Sequence, residues 1–255
     1  MNLPNLFPGL VANRSNLIQT SISEKKSYKF KKAGNNGTLI TMILDESGSM
    51  ASCWDTTIVG FNEFVAGQRA ASKDVGQGHL TLIKFDAPHI KTVFNNRPLN
   101  EVPLLDKKNY TPNGGTNLLD AIGTAIELVN SVLATMDKKS RPGVIITIMT
   151  DGEENSSRTF TNEQIKSMVA AAEKADWTFT FLGANIDAFS VGSTFGMQAS
   201  NSVNYSTGNM ADTMASVSAS TTRMRFAKSQ GISTQTLYDT GLYTKDELLS
   251  MTTKK

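Results

Sequence analysis

The sequence has 255 residues, of which 39% are hydrophobic and 19% charged, and its formal net charge is +2. This composition is typical of a globular chain that can bury a sizeable core. The small net charge gives no reason to expect nucleic acid or an anionic membrane surface as a partner. A single cysteine, Cys53, excludes an internal disulfide, and no apolar run reaches the length of a membrane span. Because the first residues also lack the pattern of a secretory signal, we expect a cytoplasmic protein.

Residues 1–36 show no sustained periodicity, and we predict that they form an N-terminal arm. Within the arm, residues 24–32 are basic, and Tyr28 and Phe30 alternate there with lysines. An edge strand or solvated linker fits this alternation, and so does a short nucleic-acid-binding strand. Nucleic acid would require a longer basic stripe, so we predict no nucleic-acid partner.

The most informative stretch is residues 39–50, with the sequence LITMILDESGSM. Its first part is continuously apolar, which predicts a strand buried on both faces of a parallel sheet. The strand is followed at once by Asp45, Ser47 and Ser49. Ligand sites of open α/β folds lie at the carboxyl ends of parallel strands. Oxygen ligands suit Mg, Ca or Mn, so this stretch predicts a divalent metal site.

A helix and a hairpin follow this strand. Ile58, Phe61 and Val65 recur at helical spacing and predict the first crossover helix. Residues 79–85 and 89–94 are both strand-like, and only a three-residue turn containing proline separates them. So short a connection predicts an antiparallel hairpin.

A long polar loop, residues 95–115, ends in two glycines and Thr116. Long loops of this kind are typically functional. A clear amphipathic helix begins at Leu118, and Asn117 with Asp120 predicts its N-terminal cap. Thr116 is therefore predicted to lie at the start of a helix with its hydroxyl available.

Residues 143–150 form a second fully apolar strand, and Asp151 follows it directly. Thr161 and Gln164 then predict a capping box at the start of another helix. Asn209, with Asp212, predicts the cap of a last long helix. Further strands are predicted over residues 177–183 and 202–205, and one more short helix over residues 245–251.

Strands alternate with helices from about residue 37 to 230. This order predicts one doubly wound, Rossmann-like α/β domain with a mostly parallel sheet and helices on both faces. We predict that residues 231–255 form a C-terminal tail whose short helix packs on the domain.

The motif Asp-x-Ser-x-Ser at residues 45–49, the Gly-Gly-Thr ending at Thr116 and the Thr-Asp-Gly around Asp151 together resemble a von Willebrand factor type A (vWA) domain with a complete metal-ion-dependent adhesion site (MIDAS). The resemblance covers residues 37–230 and is greatest to stand-alone intracellular bacterial or phage members. It implies a six-stranded sheet with one antiparallel edge strand.

The resemblance also implies how the metal is held. Ser47, Ser49 and Thr116 would coordinate Mg, or alternatively Mn or Ca, while Asp45 and Asp151 would act mostly through water. Neutral ligands leave a metal electrophilic, so an open position would favour an Asp or Glu carboxylate of a protein partner. We therefore predict a metal-dependent protein-binding module or adaptor. A simple helix-capping turn is the competing interpretation of the Asp-x-Ser-x-Ser motif.

Two other functions stay open. The first is a metal-dependent phosphohydrolase with Asp45 as nucleophile or metal ligand, and the second is a metal-free structural or self-assembling protein. Ser47 stands where a haloacid-dehalogenase-like enzyme requires a second aspartate, and the sequence has no phosphate-binding loop or nucleophile elbow. His79 and His89 fall in the hairpin and receive no catalytic role. We predict no catalytic residues.

The remaining polar residues near the motif receive structural interpretations. We predict that Glu46, Glu153 and Glu154 are solvated surface carboxylates. Cys53 is predicted to be a small buried hydrophobic residue and not a reactive thiol.

Overall fold

The central strands are mainly apolar and, except for the first residue of β4, buried, as the sequence predicts for a sheet covered on both faces. The computed structural model describes Phe30 and residues 37–252. Within them a six-stranded sheet has the order β3-β2-β1-β4-β5-β6. Its strands are β1 (Thr38–Asp45), β2 (Gly78–Asp86), β3 (His89–Pro98), β4 (Gly143–Thr150), β5 (Trp177–Ala184) and β6 (Ser202–Tyr205). All neighbours are parallel except β2 and β3.

The predicted antiparallel hairpin is confirmed. β2 and β3 are linked by two residues and pair antiparallel, with Asp86 opposite His89. β3 is the edge strand and continues to Pro98, four residues beyond the predicted end. The predicted fold class is therefore confirmed, including the antiparallel edge strand.

Helices cover both faces of the sheet. One face carries α1 and α5, whose apolar residues pack with Ile40, Met42 and Leu44 of β1. The opposite face carries α2 and α3, packed on Leu39 and Ile43. The helices are α1 (Trp54–Val75), α2 (Leu118–Ala134), α3 (Asn162–Lys174), α4 (Ala188–Thr194), α5 (Met210–Ser229), α6 (Thr234–Thr240) and α7 (Lys245–Thr252). None of these helices, within the described residues, is long and apolar enough to traverse a bilayer.

Two of the three predicted helix caps are wrong. The capping box of Thr161 and Gln164 is confirmed. Asn117 and Asn209 occupy N-cap positions, but neither side chain accepts a capping hydrogen bond. A first-turn amide of α2 is instead bonded by a side chain that is distant in sequence, because the Leu119 amide donates to Glu154 Oε2 over 2.9 Å.

The C-terminal segment contains one helix more than predicted. α7 confirms the predicted short helix, and the carbonyl of its buried Met251 accepts from the Ser206 amide over 2.9 Å. α6 was not predicted, because its sequence TQTLYDT has weak periodicity. The predicted arm, apart from Phe30, lies outside the described residues. Phe30 stacks on His79 with ring centroids 3.9 Å apart.

Candidate metal centre

The ends of β1 and β4 place the two predicted aspartates beside each other. These strands are parallel neighbours, with Leu44 opposite Met149, so the residues at their carboxyl ends lie side by side. Asp45 is the last residue of β1, and Asp151 follows β4 directly. More than 100 residues of chain separate the two, and sheet pairing alone brings them together.

Asp45 is fully buried and held by two hydrogen bonds. The Ser47 amide donates to its Oδ1 over 2.7 Å, and the Thr150 hydroxyl donates to its Oδ2 over 2.5 Å. Burial raises the pKa of the Asp45 carboxyl to about 6, although both hydrogen bonds oppose this shift. Asp45 therefore lies beneath the surface as a fixed acceptor.

Ser47, Ser49 and Asp151 form a chain of hydroxyl and carboxylate groups. The hydroxyls of Ser47 and Ser49 are 3.1 Å apart, and Ser49 Oγ donates to Asp151 Oδ1 over 2.5 Å. The other oxygen, Asp151 Oδ2, is buried and has no hydrogen-bond partner. Burial raises the pKa of the Asp151 carboxyl. An unsatisfied buried acceptor is costly, so this oxygen marks a place where a cation or a donor would be stabilised.

Thr116 reaches the same cluster from the glycine-containing loop. A β-carbon built on Gly152 would lie 3.1 Å from the Thr116 hydroxyl and 3.8 Å from the Ser49 hydroxyl. The missing side chain of Gly152 thus leaves a small space between these two oxygens. Asn155 holds Thr116 in place, because its side-chain Oδ1 accepts from the Thr116 amide over 3.0 Å and its backbone amide donates to the Thr116 carbonyl over 3.0 Å.

The loop that carries Thr116 is tied to the end of β1. The Gly48 amide donates to the Gly114 carbonyl over 3.1 Å, and the Tyr110 hydroxyl donates to the Asp45 carbonyl over 2.7 Å. Gly114 has φ +69°, and a β-carbon there would lie 2.4 Å from the Ala87 carbonyl oxygen. Only glycine fits this position, which agrees with the sequence interpretation of the glycine pair as part of a site.

The structure therefore brings together all five predicted residues: Asp45, Ser47, Ser49, Thr116 and Asp151. Their side chains supply two carboxylates and three hydroxyls, a set of hard oxygen donors that suits Mg, Mn or Ca. Within the described part of the chain, His, Cys, Asp and Glu side chains form no group of three that could hold a metal by themselves. A metal at this place would need the hydroxyls as ligands, and the buried, unpaired Asp151 Oδ2 fits a nearby cation.

The prediction for Glu46 is wrong. Its side chain is 1% exposed, and Lys84 Nζ donates to its Oε1 over 2.5 Å. The Thr111 amide donates to the same oxygen over 2.5 Å. The sequence signal was Lys84, which stands between the apolar residues Ile83 and Phe85 of a buried strand, because a buried ammonium requires an anionic partner.

The other neighbouring residues divide between surface and structure. Glu153 is exposed, as predicted, whereas Glu154 is half-buried and accepts from the Ser156 and Ser157 amides as well as from α2. Cys53 is buried, as predicted, and burial raises the pKa of its thiol. Neither Glu154 nor Cys53 is available to an incoming ligand.

No protein-family model matches this sequence, and no curated protein matches it significantly. Solved structures do match. The pilus adhesin SpaC of Lactobacillus rhamnosus GG is 12% identical, with a TM-score of 0.55 over 79% of this chain and 32% of its own. The vWF domain of the pili tip protein Mfa5 of Porphyromonas gingivalis is 9% identical, with a TM-score of 0.52 over 75% of this chain and 97% of its own.

Proximal thread matrix protein 1 of the mussel byssus is a third match, 14% identical, with a TM-score of 0.53 over 71% of this chain. This chain spans 47% of the mussel protein. Another structure of that protein, with a TM-score of 0.51, has a zinc-occupied MIDAS motif. At these identities the likeness concerns the fold, and the chain has an α/β fold of the von Willebrand factor type A kind.

Proposed function

We propose that this chain is a metal-dependent protein-binding module that recognises an acidic side chain of its partner. One observation carries the proposal. The hydroxyls of Ser47 and Ser49 and the carboxylate of Asp151 form a connected oxygen cluster at the sheet edge, and Asp151 Oδ2 lies in it without a partner. A helix-capping turn needs no such cluster, and no side chain there caps a helix.

In this proposal Ser47, Ser49 and Thr116 hold a divalent cation, with Asp45 and Asp151 beneath them. A bound Mg, Mn or Ca ion supplies an electrophilic position for a carboxylate from another protein. Thr150 and the Ser47 amide bond both carboxylate oxygens of the fully buried Asp45, whereas Ser49 is exposed to solvent. The zinc-occupied MIDAS motif of the mussel protein supports this assignment.

Binding fits the site better than catalysis does. Among the described residues, the histidines lie elsewhere: His79 is buried against Asn96, and His89 pairs with Asp86 at the hairpin turn. The hydroxyls of Ser47 and Ser49 lie within hydrogen-bond distance of each other and Ser49 donates to Asp151, so neither hydroxyl has, in the described part of the chain, the histidine partner of a serine nucleophile. The adhesin, pilus tip and matrix proteins of similar fold also support a binding role. A cytoplasmic location belongs to the proposal and rests on the single buried Cys53.

Thermal unfolding tests the metal site. A ligand that binds only the folded state stabilises it, by about 2.7 kcal/mol at a hundred times its dissociation constant. We expect millimolar Mg²⁺ or Mn²⁺ to raise the Tm of the wild type, and Asp45→Ala to abolish this rise. The exposed Asp239, on α6, provides the matched control Asp239→Ala, which should retain it. An unchanged Tm of the wild type in both ions would contradict an occupied site.

Partner capture tests the binding role. The tagged protein, incubated with an extract of its native cell, should retain a partner in Mg²⁺ and lose it in EDTA. Asp45→Ala should fail to retain it in either condition, whereas Asp239→Ala should behave as the wild type. A partner held equally in Mg²⁺ and EDTA would show that the metal centre is not the interface.

A further inference from the structure

A pocket of about 390 Å³ opens beside the metal centre and is lined by three lysines, Lys84, Lys91 and Lys108. We call it the lysine pocket. Its wall includes Glu46, whose chain neighbours Asp45 and Ser47 belong to the candidate metal centre. Asn109 completes the rim, on the same loop that leads to Thr116. The two sites are therefore adjacent through Glu46, which lies between Asp45 and Ser47 in the chain.

The charges of the lysine pocket are layered. Its carboxylate, Glu46, is buried at 1% side-chain exposure, and Lys84 beside it is also buried. Lys91 is 41% exposed and lies 3.6 Å from both Glu46 and the buried Asp86. The carboxylates of the pocket are therefore buried, and the charged group that is exposed to solvent is an ammonium group.

Lys108 adds a charge that the pocket does not neutralise. It is exposed, and within the described residues no ion pair involves its ammonium group. Its backbone is fixed, because the Lys108 amide donates to Asp106 Oδ1 over 2.8 Å. An exposed ammonium on a fixed turn can pair with an anion at little conformational cost to the backbone.

We propose that the lysine pocket binds a second acidic side chain from the same partner segment that presents a carboxylate to the metal centre. This inference rests on the proposed function, and it defines the partner as a locally acidic peptide segment. An extended segment advances about 3.3 Å per residue, so acidic residues a few positions apart reach both sites.

Synthetic peptides provide the test. One fluorescein-labelled peptide carries a single glutamate among glycines and serines, and the other alternates glutamate with glycine. Binding is measured by fluorescence anisotropy in Mg²⁺ and in EDTA at equal ionic strength. In Mg²⁺ the wild type should bind the alternating peptide more tightly than the single-glutamate peptide.

The variants separate the pocket from the metal centre. Lys91→Gln/Lys108→Gln should weaken the alternating peptide about fivefold and leave the single-glutamate peptide unchanged. Lys108→Gln alone disturbs no ion pair and should give a smaller loss in the same direction. The control is Lys73→Gln/Lys174→Gln, which removes two exposed charges from the last turns of α1 and α3. These turns lie at the amino ends of the strands, away from the metal centre, so this variant should bind as the wild type.

If the wild type and Lys91→Gln/Lys108→Gln bound the alternating peptide equally in Mg²⁺, the inference that the lysine pocket binds an acidic side chain would be overturned. The proposed metal-dependent function would be unaffected. Weakening by the lysine variants with no difference between Mg²⁺ and EDTA would support the pocket and contradict the proposed function. Failure of millimolar alternating peptide to bind the wild type would overturn the inference. Lys91→Arg/Lys108→Arg keeps both charges and should bind as the wild type. Unchanged binding of the single-glutamate peptide by Lys91→Gln/Lys108→Gln excludes a loss caused by misfolding.

Discussion

The hydroxyl of Ser49 donates a 2.5 Å hydrogen bond to Asp151, which lies 102 residues further along the chain. This bond joins the loop after β1 to the loop after β4, directly beside the unpaired Oδ2 of Asp151. Because the acceptor is a carboxylate, the bond is of the charge-assisted kind. Ser49 thus has a structural role in the metal-free protein in addition to its proposed role as a ligand.

Ser49→Ala should therefore lower both the stability of the metal-free protein and its stabilisation by metal. Without metal it removes a hydrogen bond to a charged group, which lowers the free energy of unfolding by about 1.5–3 kcal/mol. In Mg²⁺ it should also lose most of the metal-dependent rise in Tm. Urea titrations in EDTA and in Mg²⁺ measure both effects. Ser52→Ala, on the same short 3-10 helix, removes an exposed hydroxyl and should change neither quantity; equal effects of the two variants would refute the assigned role.

The contact between these two loops follows only in part from the sequence. Each aspartate stands at the end of a buried, mainly apolar strand, and this local pattern can be recognised in the sequence. The pairing of β1 with β4 across 100 residues is not local, because two later strands intervene and periodicity carries no information on strand order. The position of both aspartates at the carboxyl ends of buried strands predicted that they lie at one edge of the sheet, and the motif resemblance then assigned them to one site.

The wrong predictions share a physical cause. Asn117 has the composition of an N-cap, but Glu154 and Ser157 of another loop accept from the first amides of α2. Glu46 follows a strand as a surface residue would, but Lys84 on the neighbouring strand draws it into a buried pair. In both cases a tertiary partner replaces the local one, and local propensity cannot anticipate such a partner.

Asp45 should give the metal-free protein a measurable pH dependence. Burial raises its pKa from 3.8 to about 6, so folding favours the protonated form. Its contribution to the free energy of unfolding is therefore greatest below about pH 4 and falls by about 3 kcal/mol as the pH rises through 6. Asp45→Asn removes this titration and can keep bonds to the Ser47 amide and the Thr150 hydroxyl.

In EDTA, Asp45→Asn should thus be more stable than the wild type above pH 6, by up to about 3 kcal/mol, and this advantage should vanish near pH 4. In Mg²⁺ the same variant should show no rise in Tm. Urea titrations across this pH range measure the difference. A stability difference that stays constant from pH 4 to pH 8 would contradict the raised pKa.

Asn155 should control the metal centre without being a ligand. Its side-chain Oδ1 accepts from the Thr116 amide, whereas its backbone amide donates to the Thr116 carbonyl, so Asn155→Ala removes the first of these two bonds and loosens the loop that carries the Thr116 hydroxyl. We expect Asn155→Ala to weaken Mg²⁺ binding about tenfold, the lower end for residues that orient ligands. Isothermal titration calorimetry measures the affinity. Asn155→Asp keeps the acceptor oxygen and should retain affinity, and wild-type affinity in Asn155→Ala would exclude a positioning role.

The buried pair of Glu46 and Lys84 should be the most sensitive ion pair of the fold. Glu46→Gln leaves the Lys84 ammonium buried at 5% exposure beside a neutral amide, whose oxygen and the Asn109 carbonyl can still accept hydrogen bonds but supply no negative charge. Burial already lowers the pKa of Lys84, so its charged form depends on the carboxylate. Breaking a buried pair from one side costs about 3–5 kcal/mol.

Urea unfolding of three variants tests this dependence. Glu46→Gln should lose about 3–5 kcal/mol, and Glu46→Gln/Lys84→Met should recover part of it, because the second change removes the uncompensated ammonium. Asp55 forms an exposed pair with Lys107, their side chains being 71% and 59% exposed, so Asp55→Asn should change stability by less than about 1 kcal/mol. If Glu46→Gln cost no more than Asp55→Asn, the pair would contribute no more than a surface contact does, and the loop after β1 would not depend on Lys84.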